Sequence, residues 1–131
     1  MYRTFAVLAA ATLVLGPTPA VAGAQPTPSA CNYELTPPSV VNVSGTNMVA
    51  ATLLTRACDG AVTFQTVACL QMQGSGGPAQ CARNNGLVPA QVFFQPYRPG
   101  TTYTATGRGC AAKGNPPQTF CQESGPLSAT L

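Results

Sequence analysis

Hydrophobic and polar positions alternate with a period of two along most of this chain, and the clearest run lies between Val62 and Gln73. There Val62, Phe64, Thr66, Ala68, Leu70 and Met72 share one face, while Thr63, Gln65, Val67, Cys69, Gln71 and Gln73 share the other. Such alternation predicts a half-buried β-strand with its more apolar face toward the core. A second strand is predicted over Met48 to Arg56, with Val49, Ala51 and Leu53 inward. It pairs with Ser39–Val43, which enters extended from Pro37-Pro38, around the turn residues Ser44-Gly45-Thr46-Asn47. Asp59-Gly60, Gly74–Gly77, Asn84-Asn85-Gly86 and Gly114–Pro117 punctuate the rest. Ala90–Gln95 holds the adjacent aromatics Phe93 and Phe94, so one of them must face away from the core. The corner Pro96–Gly100 leads into a strand over Thr101–Gly109, and the chain returns through Thr119-Phe120-Cys121 to Gly125–Leu131. Outside the N-terminal stretch no segment keeps a helical period. Short strands separated by regular turn signals predict an all-β, two-layered fold.

The first two dozen residues change the picture of where the protein works. Arg3 precedes an uncharged apolar run from Phe5 to Leu15; Pro17 and Pro19 follow, then Ala20-Val21-Ala22 and Ala22-Gly23-Ala24. This layout predicts a signal peptide over residues 1–24, with cleavage before Gly23 or Gln25, and no membrane span in the mature form. A Pro-rich leader, 25–30, then joins it to a single domain, 31–131. Removal of 24 residues leaves 131 − 24 = 107, with five basic and three acidic side chains and a net charge of +2. That charge is too small to imply nucleic acid as a partner.

All six cysteines, Cys31, Cys58, Cys69, Cys81, Cys110 and Cys121, fall in the mature part. An even count in a small exported domain predicts three disulfides in an oxidising compartment. Cys69 and Cys81 are placed about symmetrically around one turn, Cys110 and Cys121 around another, and Cys31 and Cys58 flank a third less evenly. Residues equidistant from a turn face each other across a strand pair, which predicts the sequential pairing Cys31–Cys58, Cys69–Cys81 and Cys110–Cys121. Cys58, Cys69 and Cys110 alternate with the polar residues of their strands and are expected to face away from the core. An inter-sheet bridge such as Cys58–Cys110 is the alternative.

Pro99-Gly100-Thr101-Thr102-Tyr103-Thr104 resembles the corner between the fifth and sixth strands of fibronectin type III domains. Ser124–Thr130 is similar to their last strand and Pro38–Val43 to their first. The resemblance implies a single immunoglobulin/fibronectin-III-like antiparallel β-sandwich of about seven strands, here stapled by disulfides, with Pro99 and Gly100 shaping the corner. It also implies that Tyr103 is a tyrosine corner, its hydroxyl bonded to backbone upstream. The chain departs from that pattern in having no tryptophan, and in the small residues Ala105, Gly107 and Gly109 at inward positions after the tyrosine. The sheets approach closely there, or Phe94, Leu70 and Met72 fill the space, or it stays open.

Candidate chemistry is sparse. There is no histidine, the commonest general base and metal ligand, and Glu34, Asp59 and Glu123 are the only carboxylates. Gly74-Ser75-Gly76-Gly77 lacks the Lys-Ser/Thr of a phosphate loop. No catalytic, cofactor-binding or metal-ligating residue is assigned, and an enzyme is the weakest reading. Arg83, Arg98, Arg108 and Lys113 read as scattered solubilising charge. One lysine against five arginines, among many Ala, Gly, Pro and Thr, indicates a GC-rich bacterial gene. The chain accordingly resembles the small exported sandwich proteins of high-GC Gram-positive bacteria that have no assigned activity. That implies a monomeric, secreted binding or structural module whose partner is an unknown protein or cell-envelope component. Gly100–Tyr103 and Gly107–Cys110 are also similar to one strand of the neocarzinostatin-type carriers, at the opposite end of the chain, so no ligand site is transferred. A cleft between the sheets lined by Phe93 or Phe94 would favour such a carrier, and a filled core the module.

Overall fold

The computed structural model describes Gly16 and residues 30–74 and 77–131; the rest of the predicted signal peptide and most of the leader lie outside the described residues. Eight strands follow in order: β1 Cys31–Leu35, β2 Ser39–Val43, β3 Thr46–Cys58, β4 Ala61–Met72, β5 Gln80–Asn85, β6 Ala90–Phe94, β7 Thr102–Lys113 and β8 Gln118–Thr130. They form two antiparallel sheets with no helix among the described residues.

In the first sheet, Leu53 of β3 faces Leu35 on one side and Ala90 on the other, and Ala50 faces both Ser39 and Phe93. Strands β1 and β2 therefore run in tandem along the same side of β3, with β6 on the opposite side. Pro37-Pro38 interrupts the tandem because proline offers no N–H to the ladder. Continuity survives through Thr36, whose N–H bonds Thr52 C=O at 2.9 Å while its hydroxyl accepts from Thr52 N–H at 2.9 Å. The β2–β3 hairpin closes on Ser44-Gly45, with Val43 facing Thr46. Both turn residues have positive φ (50° and 84°), as a two-residue hairpin matched to right-handed strand twist requires. Asn42 reinforces this turn by accepting from Gly45 N–H at 3.1 Å.

The second sheet has the order β5-β4-β7-β8. Between the sheets lies a core of Leu35, Val49, Ala51, Leu53, Ala68, Leu70, Ala90, Val92, Phe94, Tyr103 and Ala105. Phe94 meets Tyr103 edge to face at 5.6 Å, while Phe93 turns outward and is 39% exposed. The alternation thus resolves the adjacent aromatics by sending one to each side.

The space above the small residues of β7 is filled, though not by the side chains expected from sequence. A Cβ on Gly107 would stand 2.8 Å from Leu53 Cδ1 and 3.4 Å from Leu35 Cδ1. At Gly109 the same position is taken by the ring of Tyr33. Phe94, Leu70 and Met72 belong to the same cluster, but Leu35, Leu53 and Tyr33 occupy the glycine gap. Both Tyr33 and Leu35 lie on β1, which begins before Pro37-Pro38, where the sequence reading first placed a strand.

Two expectations about facing are corrected. Val62 and Phe64 were expected inward, but they are 64% and 41% exposed, and Thr63 is buried in their place. The cause is a bulge in β4: Thr63 faces Ala111 and Gln65 faces Cys110, so Phe64 is an extra residue that shifts the alternation by one. The second correction concerns Cys58. Its bridge to Cys31 turns toward the inter-sheet space, where the two sulfurs lie 3.8 and 3.6 Å from the Thr63 hydroxyl. Cys31 is 3% exposed and packs with Ala30 and Ala111 in a second, smaller cluster. Thr63 is satisfied there by Thr55 Oγ1 at 3.0 Å and Tyr33 OH at 3.5 Å.

Candidate functional site

Beyond the bulge at Phe64, alternation along β4 and β7 sets the outer face of the second sheet. Thr66, Ala68 and Leu70 point into the core, so Gln65, Val67 and Cys69 point out. Likewise Tyr103, Ala105, Gly107 and Gly109 face inward, leaving Thr104, Thr106 and Arg108 on the outer side, where Cys110 also lies although it is only 4% exposed. The strand registers then assemble cross-strand rows on this face. One row reads Arg83, Val67, Arg108, Glu123 across β5, β4, β7 and β8. The row on one side of it contains Cys81, Cys69 and Thr106, and the row on the other contains Asn85, Gln65, Cys110 and Cys121. The disulfides Cys69–Cys81 and Cys110–Cys121 therefore bracket the charged row on the outer surface of one sheet. The third bridge, Cys31–Cys58, closes the far end of the first sheet.

A second bulge gives this face its relief. Ala105 faces Leu127 and Gly107 faces Ser124, so Thr106 stands opposite two residues, Gly125 and Pro126. Gly125 is held at φ 88°, and a Cβ there would come within 2.8 Å of Ala105 C=O, which leaves room for glycine alone. Pro126 is placed where an edge strand tolerates a missing donor. The bulged segment Glu123–Pro126 makes one wall of an open groove of about 460 Å³. Its floor is Gln65, Val67, Cys69, Thr106 and Arg108.

The charges of this row are uncommitted; Arg108 and Glu123 line the groove, and Arg83 stands beside it, opposite Val67 on β5. Elsewhere Arg56 pairs with Glu34, and Lys113 Nζ lies 3.8 Å from Asp59 Oδ2. In the first of these pairs the hydrogen bond from Arg56 holds the Glu34 carboxyl below the usual carboxylate range. The side chains of Arg83, Arg108 and Glu123 have no hydrogen-bond or ion-pair partner among the described residues, although Arg108 and Glu123 stand directly opposite one another. Of the four basic residues read as scattered, Arg83 and Arg108 thus come together across Val67, while Lys113 lies at the strand end beside Asp59.

The groove holds Ser124, Thr106, Gln65, Arg108 and Glu123 beside a bridged cysteine. Ser124 has no hydrogen-bonded base that would activate its hydroxyl. No group of three or more His, Cys, Asp or Glu residues gathers among the described residues. What the arrangement can do is offer hydrogen bonds and charge around a small apolar floor.

The corner residues singled out from sequence lie away from this groove. Tyr103 is fully buried; its hydroxyl accepts from Arg98 N–H at 2.9 Å and donates to Pro96 C=O at 3.3 Å. Pro99 and Gly100 form the turn, with Gly100 at φ 79° and its N–H bonded to Leu131 C=O at 2.5 Å. Tyr97, two residues before Pro99, is half-buried against the main core. Sequence reasoning did not single out Val67, Gln65, Thr106, Ser124 or Pro126, and it set Glu123 and Arg108 aside. The parity of β4 and β7 carries part of that signal; the adjacency of those two strands carries the rest.

No protein-family model matches this chain, and no curated protein or solved structure matches it.

Proposed function

We propose that this protein is a secreted, non-enzymatic binding module of fibronectin-III-like type that acts in the bacterial cell envelope or the surrounding medium. The sandwich type is supported by the strand order. Counting β1 and β2 as one interrupted strand, three rows (β1/β2, β3, β6) face four (β5, β4, β7, β8). It is supported further by Tyr103, whose buried hydroxyl returns to backbone at Pro96 and Arg98. Export is supported by the layout of residues 1–24 and by three disulfides, which persist in oxidising compartments. No helix among the described residues is long and apolar enough to cross a membrane.

The observation that carries the binding reading is the outer groove. It combines an apolar strip of Val67, Cys69 and Pro126 with unpaired polar groups, and its volume falls within the range of small-molecule sites, about 300–1,000 Å³. The space between the sheets is filled by Tyr33, Leu35 and Leu53, so a carrier with its cargo between the sheets is disfavoured. A small-molecule carrier remains the second reading only with its cargo on the outside, and the same groove supports it.

Native mass spectrometry of protein purified from its own host tests the reading against a Val67→Trp variant, which fills the floor from an outward position. A retained ligand on the native chain that is absent from Val67→Trp supports the groove. Equal retention by both chains would move the site elsewhere.

A further inference from the structure

The row Arg83–Val67–Arg108–Glu123 defines more than a place; it defines a charge pattern. Arg83 and Arg108 both face Val67, one from each side, so their Cα atoms stand two strand spacings apart, roughly 10 Å. Arginine side chains are long enough to reach, from both positions, a group placed above Val67. Neither is neutralised, in contrast to Arg56 and Lys113, each of which has a carboxylate beside it. Glu123 stands on the far side of Arg108, which leaves two cations against one anion in the row. The surplus is a single positive charge. A surplus of one suits a monoanion and gives little to a polyphosphate or a nucleic acid backbone.

The rest of the groove is suited to an apolar body. From the charged row it continues along Cys69, with its disulfide, Thr106 and the pyrrolidine of Pro126. Carboxylate and sulfonate oxygens are matched by guanidinium N–H groups, and the uncharged remainder of the ligand then covers Val67 and Pro126. We propose that the groove binds an amphipathic small organic acid. Its single anionic group sits over Val67 between Arg83 and Arg108, and its apolar or aromatic body lies against Cys69 and Pro126. This rests on the groove being the binding site.

Two fluorescent probes with the same aromatic body separate the possibilities: anilinonaphthalene sulfonate, which is anionic, and phenylnaphthylamine, which is neutral. The folded mature protein is expected to bind the sulfonate one to one. An Arg83→Gln/Arg108→Gln double variant should lose about tenfold or more in affinity for it, since charge-assisted hydrogen bonds are the stronger kind. Glu123→Gln should tighten sulfonate binding, because it removes the opposing charge. Neutral-probe binding should not change with any of these exposed substitutions, and Val67→Trp should weaken both probes. Denaturation midpoints equal to that of the native chain would establish that each variant is folded. Sulfonate binding that survives the double substitution unchanged would overturn the anion assignment while leaving the groove in place. If neither probe binds the native chain, or Val67→Trp affects neither, the groove reading itself fails.

Discussion

The ring of Tyr33 lies against the backbone of Gly109 and fills the volume that a side chain at position 109 would need. Tyr33 belongs to β1 and Gly109 to β7, so this contact ties the first strand of one sheet to a central strand of the other. The Tyr33 hydroxyl continues to Thr63, which in turn receives Thr55 and touches the Cys31–Cys58 sulfurs. Glycine at 109 is thus required by packing, not by backbone conformation.

Gly109→Ala should destabilise the fold by about 1–3 kcal/mol, since the new methyl group must displace a ring wedged between sheets. Tyr33→Ala should cost about 2–3 kcal/mol, less than a fully buried aromatic because the residue is only half-buried. The double variant should cost clearly less than the sum, because without the ring the alanine methyl has space. Denaturant titration of the four chains measures the coupling, and strict additivity would show that the two residues do not share this volume.

Tyr103→Phe removes an acceptor for Arg98 N–H and a donor to Pro96 C=O. A loss of about 1–2 kcal/mol is expected, as one backbone donor is left without its partner in a part-buried site. Tyr97→Phe should change stability little, because the Tyr97 hydroxyl makes no hydrogen bond although its ring packs on the core. Equal unfolding midpoints for the two variants would contradict the corner geometry.

The bridges differ in how much chain they close: 27 residues of separation for Cys31–Cys58, against 12 and 11 for the other two. Loop-closure entropy alone favours the first slightly, at about 3.5 kcal/mol against about 3. Burial does not separate it from Cys110–Cys121, because Cys31 and Cys110 are 3% and 4% exposed and each is bridged to an exposed partner. On loop length, replacing the Cys31–Cys58 pair by alanines should lower the melting temperature slightly more than replacing either outer pair. A ranking with an outer bridge on top would show that loop length does not set the order.

The Glu34–Arg56 pair makes a prediction about pH. The pair lowers the Glu34 folded-state pKa below the unfolded one, so its contribution is present above the ordinary carboxylate pKa and lost as pH falls through the depressed value. Both side chains are exposed, which makes the effect on stability slight. The clean readout is the Glu34 carboxyl shift in an NMR titration. Arg56→Gln should move its midpoint upward toward the ordinary value; an unchanged midpoint would mean that the ion pair does not persist in solution.

Local pattern was sufficient for a large part of this fold. Alternation along Met48–Arg56 placed Val49, Ala51 and Leu53 inward, and turn chemistry at Ser44-Gly45 and Gly114 located hairpins, because both depend only on neighbours in the chain. The symmetry of cysteines about those turns led to the same three pairs that the structure contains, since hairpin register is itself a local property. The inward strand carrying Tyr103 was legible for the same reason.

Three things were settled only by tertiary structure. The bulge at Phe64 reverses the facing of Val62 and Thr63, and a bulge is driven by the partner strand, which the hydrophobic pattern does not contain. The filling of the glycine gap needed β1, a short strand hidden before Pro37-Pro38, whose side chains reach β7 from the opposite sheet. The groove needed β4 beside β7. Register within each disulfide hairpin already sets Arg83 opposite Val67 and Arg108 opposite Glu123. Only the non-local pairing of β4 with β7 joins these two short rows into one, and that pairing is a property of how the sheet assembles, not of any local run of sequence.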